Sequence, residues 1–344
     1  MSSDFRHSHS SIALYKSCPT KWKLSTLDGL VQIGGGGRHD LDYGVAIHAA
    51  LETLYGEGGT VRRAQEAFIA AYPPDKYPAV LPNWALGKTV RNGWLAIAGY
   101  AEHWRDEDSN WEVLEIEKLQ DVATEGENSR VVKLDLVIRD KRDGGIYGVD
   151  HKTTGKYLDK EYWPQYEPHS QIRGYTRYIK DKWGECAGFI INALSLKHRS
   201  KAYTPRKGAD RTPLPAGDWF SFGRMIYTPN ENMLQLEDAN IAYWTDAIEQ
   251  DVASGKFGYN TAECHKGLFH CEYIALCAPG YTFPRDEELI SEWYYQQCRE
   301  IFNDGDRCRL PKGDHGDQHS TEPREETVAS DYMVEDDVVE EAVQ

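Results

Sequence analysis

Asp135, Asp150 and Lys152 are of types, and stand at spacings, that suit hydrolytic chemistry at a hard cation. In Val131 to Asp140, strand alternation puts Val132, Leu134, Leu136 and Ile138 on one face. Lys133, Asp135, Val137 and Arg139 lie on the other. Asp150 and Lys152 are two residues apart in the next strand-like segment and share a face. Two carboxylates and an ammonium converging from neighbouring strands could hold Mg²⁺ or Mn²⁺ beside a fixed positive charge. Water kept by such an ion can become a nucleophile. A cross-strand salt bridge on a solvated face would use the same three residues. Two helical pairs add to the pattern. Gly44 and His48 are one turn apart, as are Gln171 and Tyr175, so each pair occupies one helix face. His48 could add an imidazole ligand, although a single histidine is more often a core or surface residue.

The seven cysteines form a second pattern. Cys264, Cys271 and Cys277 lie close together and Cys18 stands far upstream. Four thiolates are the number required by tetrahedral zinc or by a [4Fe-4S] cluster. His265 and His270 could substitute as zinc ligands, and ordinary buried thiols are the plain alternative. A third feature is the basic stretch Lys197-His198-Arg199-Ser200-Lys201, followed by Arg206, Lys207 and Arg211 with Tyr203 between them. It could contact phosphates or be a solvated loop.

Elements must position these groups. Ser10 to Leu27, Asp42 to Tyr55, Val61 to Tyr72 and Trp84 to Trp104 read as helices. The run Gly34 to Gly37 lacks the spacing of a phosphate-cradling loop. Trp111 to Val122, Arg130 to Asp140 and Ile146 to His151 read as a three-strand meander. A helix from Pro168 to Lys182 and a strand from Ala187 to Leu196 follow, then a Lys-, Arg- and Pro-containing loop to Leu214. Glu231 to Gly255 and Asp286 to Phe302 close the pattern as helices. This order predicts an α/β (α+β) domain, a small central mixed β-sheet flanked by helices.

Composition bounds the partners. The 344 residues are 40% hydrophobic and 27% charged, a globular rather than disordered balance. The longest apolar runs fall far short of the ~20 residues that a bilayer requires, and the polar N-terminus lacks a signal-peptide core. Together these predict a cytoplasmic protein without a membrane partner. A net charge of -16 argues against a nucleic-acid ligand, but it is unevenly spread. From residue 311 onward eleven acidic residues face only Lys312 and Arg324, a local net of -9. Residues 1–310 therefore carry -7, which still allows a basic groove. The tail at 311–344 reads as acidic and disordered.

The ordered set of motifs resembles the RecB-type branch of the PD-(D/E)XK nuclease superfamily, near the phage and bacterial exonucleases and CRISPR-associated nucleases with an iron–sulfur site. The matching segments are SIALYKSCP (Ser11 to Pro19), GVAIHAALE (Gly44 to Glu52), VLEIE (Val113 to Glu117), KLDLV (Lys133 to Val137), GVDHKTT (Gly148 to Thr154), QIRGY (Gln171 to Tyr175) and Cys264 to Cys277. The resemblance implies a restriction-endonuclease-like core at about 105–200 with helical N- and C-terminal additions. It also implies one domain over 1–310, clasped by Cys18 and 264–277 around an iron–sulfur cluster, with zinc the alternative.

The same resemblance makes His48, Asp135 and Asp150 ligands of Mg²⁺ or Mn²⁺, with the His151 carbonyl a further candidate. Lys152 would orient the attacking water or stabilise the scissile phosphate. Glu117 would be structural or auxiliary, and Gln171 and Tyr175, with Lys197, Arg199 and Lys201 nearby, would hold DNA. The family often places Gly three residues before the motif Asp, where this chain has Val132. The implied activity is metal-dependent DNA hydrolysis, as an exonuclease in phage or bacterial recombination or repair, with a helicase or recombination partner. A catalytically silent binding module of the same fold, or a restriction-type endonuclease, is the alternative.

Overall fold

The N-terminal elements are β1 (His7–Ser8), α1 (His9–Ser17), α2 (Pro19–Trp22), a π-turn (Lys23–Leu27), β2 (Leu30–Gln32), α3 (His39–Tyr55), α4 (Val61–Ala71) and α5 (Val90–Asp108). The middle of the chain supplies β3 (Trp111–Ala123), β4 (Ser129–Asp140), β5 (Ile146–Thr154), α6 (Ser170–Trp183), β6 (Gly188–Arg199) and β7 (Gly217–Tyr227). Then come α7 (Glu231–Ser254), a hairpin of β8 (His265–Lys266) and β9 (Phe269–His270), α8 (Ile274–Cys277) and β10 (Tyr294–Gln296). The structure, a computed structural model, describes residues 7–32, 39–74, 87–123, 129–199, 217–266, 269–277 and 294–296. The described residues within 38–117 and 134–234 form one compact unit. Those within 1–37, 118–133 and from 235 onward form another.

The larger unit is built on a mixed sheet. β4 pairs antiparallel with β5, β5 parallel with β6, and β6 antiparallel with β7, while β3 pairs with β4. The parallel pair needs a crossover, and α6 supplies it. Helices α3, α4 and α5 cover one face of the sheet, where Ile47, Leu51, Phe68, Ile97 and Tyr100 pack with Leu194 and Leu196 of β6. Each such fully buried side chain contributes about 1.5–3 kcal/mol. On the same sheet, Trp111, Leu136, Ile138, Val149 and Ile190 form a second cluster. On the other face Gly148 lets α6 come close: a Cβ there would lie 2.4 Å from the Phe189 ring and 2.7 Å from Ile179. Helix α6 ends at Gly184, whose φ of 81° is the left-handed conformation that glycine adopts cheaply.

The smaller unit packs α1 and α2 on α7, with Ile12, Tyr15 and Trp22 against Ile241 and Ile248. Strand β2 pairs antiparallel with β10, and β1 pairs in parallel with Arg130 and Val131. Leu24 and Leu30 meet Tyr273 and Leu276, and the Tyr273 hydroxyl donates to the Leu30 carbonyl at 2.7 Å.

The three-strand meander and the alternation of Val132, Leu134, Leu136 and Ile138 toward the core match the sequence reading. Three expectations need correction. The helix expected over 10–27 is interrupted at Cys18, which is extended (φ -162°, ψ 110°) because Pro19 disfavours helical backbone in the residue before it. The segment 217–227 forms strand β7, where no strand was expected. Of the helix expected over 286–302, only Tyr294–Gln296 are described, and they form a strand; adjacent tyrosines favour that state. The acidic tail at 311–344, Lys201, Cys298 and Cys308 lie outside the described residues. Among the described residues, no helix is long and apolar enough to cross a membrane.

Candidate metal centre

Helix α3 starts with Asp40 and Asp42 in its first turn, where they complement the helix dipole, and it buries Tyr43, Ala46, Ile47, Ala50 and Leu51. His48 lies off that apolar stripe and keeps 31% of its side chain exposed. One turn earlier, Gly44 permits close approach to β5: a Cβ there would sit 3.3 Å from Thr153 Oγ1. The Gly-x3-His spacing therefore has a steric reason. The small residue brings the helix to the strand, and the histidine one turn on reaches the carboxylates.

His48 Nδ1 lies 3.4 Å from Asp135 Oδ2 and 3.8 Å from Glu117 Oε1. These three side chains offer ligand atoms that all fall within 4.8 Å of one another, a group suited to one metal ion. Glu117 reaches the group from β3 with φ of 44°, a left-handed backbone uncommon outside glycine. Such strain is held in place by its surroundings and collects at functional sites. The β4–β5 ladder runs from Arg139↔Ile146 to Leu136↔Val149. Next along, the His151 N–H donates to Asp135 Oδ2 at 2.6 Å, which fixes that carboxylate.

Asp150 and Lys152 stand beside this group as an ion pair, Nζ to Oδ2 2.5 Å, with the Asp150 side chain only 4% exposed. Gln171 joins them. Its oxygen accepts from Lys152 Nζ at 3.3 Å, and its amide nitrogen donates to Asp150 Oδ1 at 3.4 Å and to the Tyr175 hydroxyl at 3.2 Å. The Gln-x3-Tyr spacing on α6 thus puts both side chains against the Asp-x-Lys strand.

Charge within the site is strongly coupled. Burial alone would lower the His48 pKa, but Asp135 and Glu117 outweigh it and lift it to about 10. Burial raises Asp135, yet the His48 charge and the His151 N–H hold it well below the usual carboxylate range. Burial pushes Asp150 up to about 6 against the pull of Lys152. Burial would lower Lys152, and Asp150 raises it overall. The ring of His151, the residue between Asp150 and Lys152, stacks on Tyr55 with its centre 6.0 Å from that of the His48 ring, and it is held down to about 3 by burial.

The donor set fits a divalent cation. Two carboxylate oxygens and an imidazole nitrogen converge, and in the metal-free protein a proton on His48 balances the acids. The structure brings His48 and Asp135 together as the sequence suggested, and adds Glu117 to that trio. Asp150 is held by Lys152 and Gln171 rather than within the trio.

Lys197 lies four residues along β6 from Ala193, the partner of Lys152, and so on the same sheet face, with its ammonium 2.9 Å from the centre of the Tyr157 ring. Burial lowers it to about 8. Arg199 is described for its backbone alone, paired with Gly217. The four cysteines all fall in the smaller unit. Cys18 Sγ caps α2 through the Lys21 N–H, and Cys271 N–H donates to the Cys264 carbonyl at 2.9 Å. Among the described residues their sulfurs do not gather within 4.8 Å as the trio does.

A model of the PD-(D/E)XK nuclease superfamily matches residues 6–278, well over half of the chain. The chain belongs to the PD-(D/E)XK nuclease superfamily. That superfamily is one of phosphodiester hydrolases that use divalent metals. Among solved structures, a protein from Eubacterium rectale named as a candidate exonuclease is similar at TM-score 0.44 and 13% identity. The match covers 80% of this chain and 93% of that one. A protein called SSO0001 is similar at TM-score 0.23 and 15% identity, over 60% and 87% of the two chains. No curated protein sequence matches this chain. Sequence reasoning passed over Asn192, Tyr100 and Arg224, which lie behind the site. Asn192 alone left a signal, as the one amide in the apolar run Gly188 to Leu194.

Proposed function

We propose that this PD-(D/E)XK protein is a metal-dependent deoxyribonuclease of the RecB-type branch that removes nucleotides from DNA ends. The observation that carries the reading is the convergence of His48, Glu117 and Asp135 beside the Asp150–Lys152 pair. His48, Glu117 and Asp135 would hold Mg²⁺ or Mn²⁺, with Asp150 close enough to share the charge. When bound, the cation supplies Lewis-acid stabilisation of phosphoryl oxygen and eases deprotonation of water. Lys152 carries a positive charge to the scissile phosphate, where charge builds as the bond breaks. Gln171 keeps that ammonium aimed by accepting one of its protons. Asp150, in turn, holds Lys152 charged. Gln171, Tyr175 and Lys197 would steady a DNA strand, and Arg199 and Lys201 would extend that contact.

Two further parts belong to the same proposal. Cys18, Cys264, Cys271 and Cys277 hold a [4Fe-4S] cluster that clasps the smaller unit. Zinc is the alternative for the same four thiolates. The setting is the cytoplasm of a bacterial or phage-infected cell, in recombination or repair alongside a helicase, and residues 1–310 act as one nuclease domain. The test is digestion of end-labelled linear DNA and closed circular DNA with Mg²⁺ or Mn²⁺. Linear DNA should be consumed from its ends, circular DNA spared, and Asp150→Ala should be inactive. Cutting of the circle would make the protein an endonuclease. Binding without cleavage across metals would make it a silent module.

A further inference from the structure

The ring of His151 points away from Asp150 and Lys152 into a buried polar network. Every proton in that network can be assigned from the partners. Arg224 on β7 lies with its guanidinium 4.0 Å from the Trp104 ring centre and 4.1 Å from that of Trp111, and its side chain is 6% exposed. A guanidinium only donates. Its Nε gives to Asn192 Oδ1 at 3.2 Å, its Nη1 to Asp108 Oδ1 at 2.6 Å, and its Nη2 to the hydroxyls of Tyr55 at 3.1 Å and Tyr100 at 3.0 Å. Asn192, fully buried, therefore has its oxygen toward Arg224. Its amide nitrogen must give to the Tyr100 hydroxyl at 2.6 Å and to His151 Nδ1 at 2.7 Å. Tyr100, accepting twice, passes its own proton to Tyr55 at 2.6 Å, and Tyr55 passes its proton to Asp108 at 2.8 Å. The Tyr55 ring stacks on His151 at 5.8 Å and 6°.

We propose that Asn192, oriented by Arg224, is a positioning residue for the metal centre. It keeps His151 in the tautomer with its proton on Nε2, and so pins the main chain whose N–H fixes Asp135. Because the amide cannot turn without facing its NH₂ toward a cation, the tautomer follows from the position of Arg224. The middle residue of the Asp-x-Lys motif thereby ties the catalytic strand to the helical layer behind it.

The effect on catalysis rests on the nuclease reading, while the tautomer does not. Ring ¹⁵N spectra at pH 8, with the His151 signals assigned by their loss in His151→Gln, should show wild-type Nδ1 without a proton. Asn192→Asp presents only acceptors, so it should move the proton to Nδ1. DNA cleavage with saturating Mn²⁺ should then fall at least ~10-fold, as for residues that orient ligands, with KM for DNA unchanged. A protonated Nδ1 in the wild type overturns the proposal. So does Asn192→Asp with its tautomer unchanged, or with a reversed tautomer and full cleavage. If Asn192→Asp does not fold, Arg224→Lys, which keeps the charge but lacks Nε, should give mixed tautomers, and a single unchanged tautomer there overturns it equally. An inactive wild type with the expected tautomer would sink the nuclease reading alone.

Discussion

A proton on His48 occupies the place that a cation would take. Since His48 is lifted to about 10 by Asp135 and Glu117, the metal-free protein holds that proton at pH 8. Binding of Mn²⁺ should then release close to one proton per ion, because an imidazole must be neutral to ligate. Calorimetry in buffers of different ionisation enthalpy measures this directly; heats that do not depend on buffer would remove His48 from the ligand set. The same shift acts on stability. The folded chain keeps the His48 proton up to about pH 10, whereas an unfolded chain loses it near 6.5. Stability from this group is complete below 6.5 and is lost as pH rises through about 10. The Tm of metal-free protein should fall between pH 7 and 10, and His48→Gln should lack that part of the fall. Gln171→Ala should keep the fold and lower kcat by about 10–100-fold through its hold on Lys152. An unchanged kcat would make Gln171 a bystander.

Gly44 sets the distance between α3 and β5, and substitution there separates two opposing effects. Alanine gains roughly 0.5–1 kcal/mol of helix propensity but puts a Cβ 3.3 Å from Thr153 Oγ1. Gly44→Val adds branches that must push the helix away. Its Mn²⁺ affinity should drop at least several-fold while Gly44→Ala stays near wild type, as titration would show; equal affinities would mean that α3 does not position His48 by this contact. Much at this scale was legible in the sequence. Alternation placed Leu134 and Leu136 inward and Asp135 on the opposite face, and helical spacing put Gln171 and Tyr175 side by side. Strand β7 was not legible, because Asp218 to Tyr227 mixes aromatic, charged and glycine residues without clean alternation. Its Arg224, which reaches the network behind the site, was hidden with it. The role of Glu117 turns on a backbone φ of 44°, which no residue pattern encodes.

The whole chain combines a metal centre in one unit with four cysteines in the other. If those thiolates hold iron and sulfide, an anaerobic preparation should be brown and absorb near ~400 nm, and Cys18→Ser should bleach it. A colourless protein with one zinc per chain would replace the cluster by a structural zinc. The net charge of -16 did not exclude a nucleic-acid enzyme, because over half of it lies beyond residue 310. What bears on function is local: His48, Glu117 and Asp135 converge, and the Asp150–Lys152 ion pair stands beside them. Titration of Mn²⁺ into wild type and Asp135→Asn, both checked for an intact fold, tests that gathering most directly. The wild type should bind an ion at a site that the variant has lost. Equal binding by the two proteins would contradict the metal centre described here.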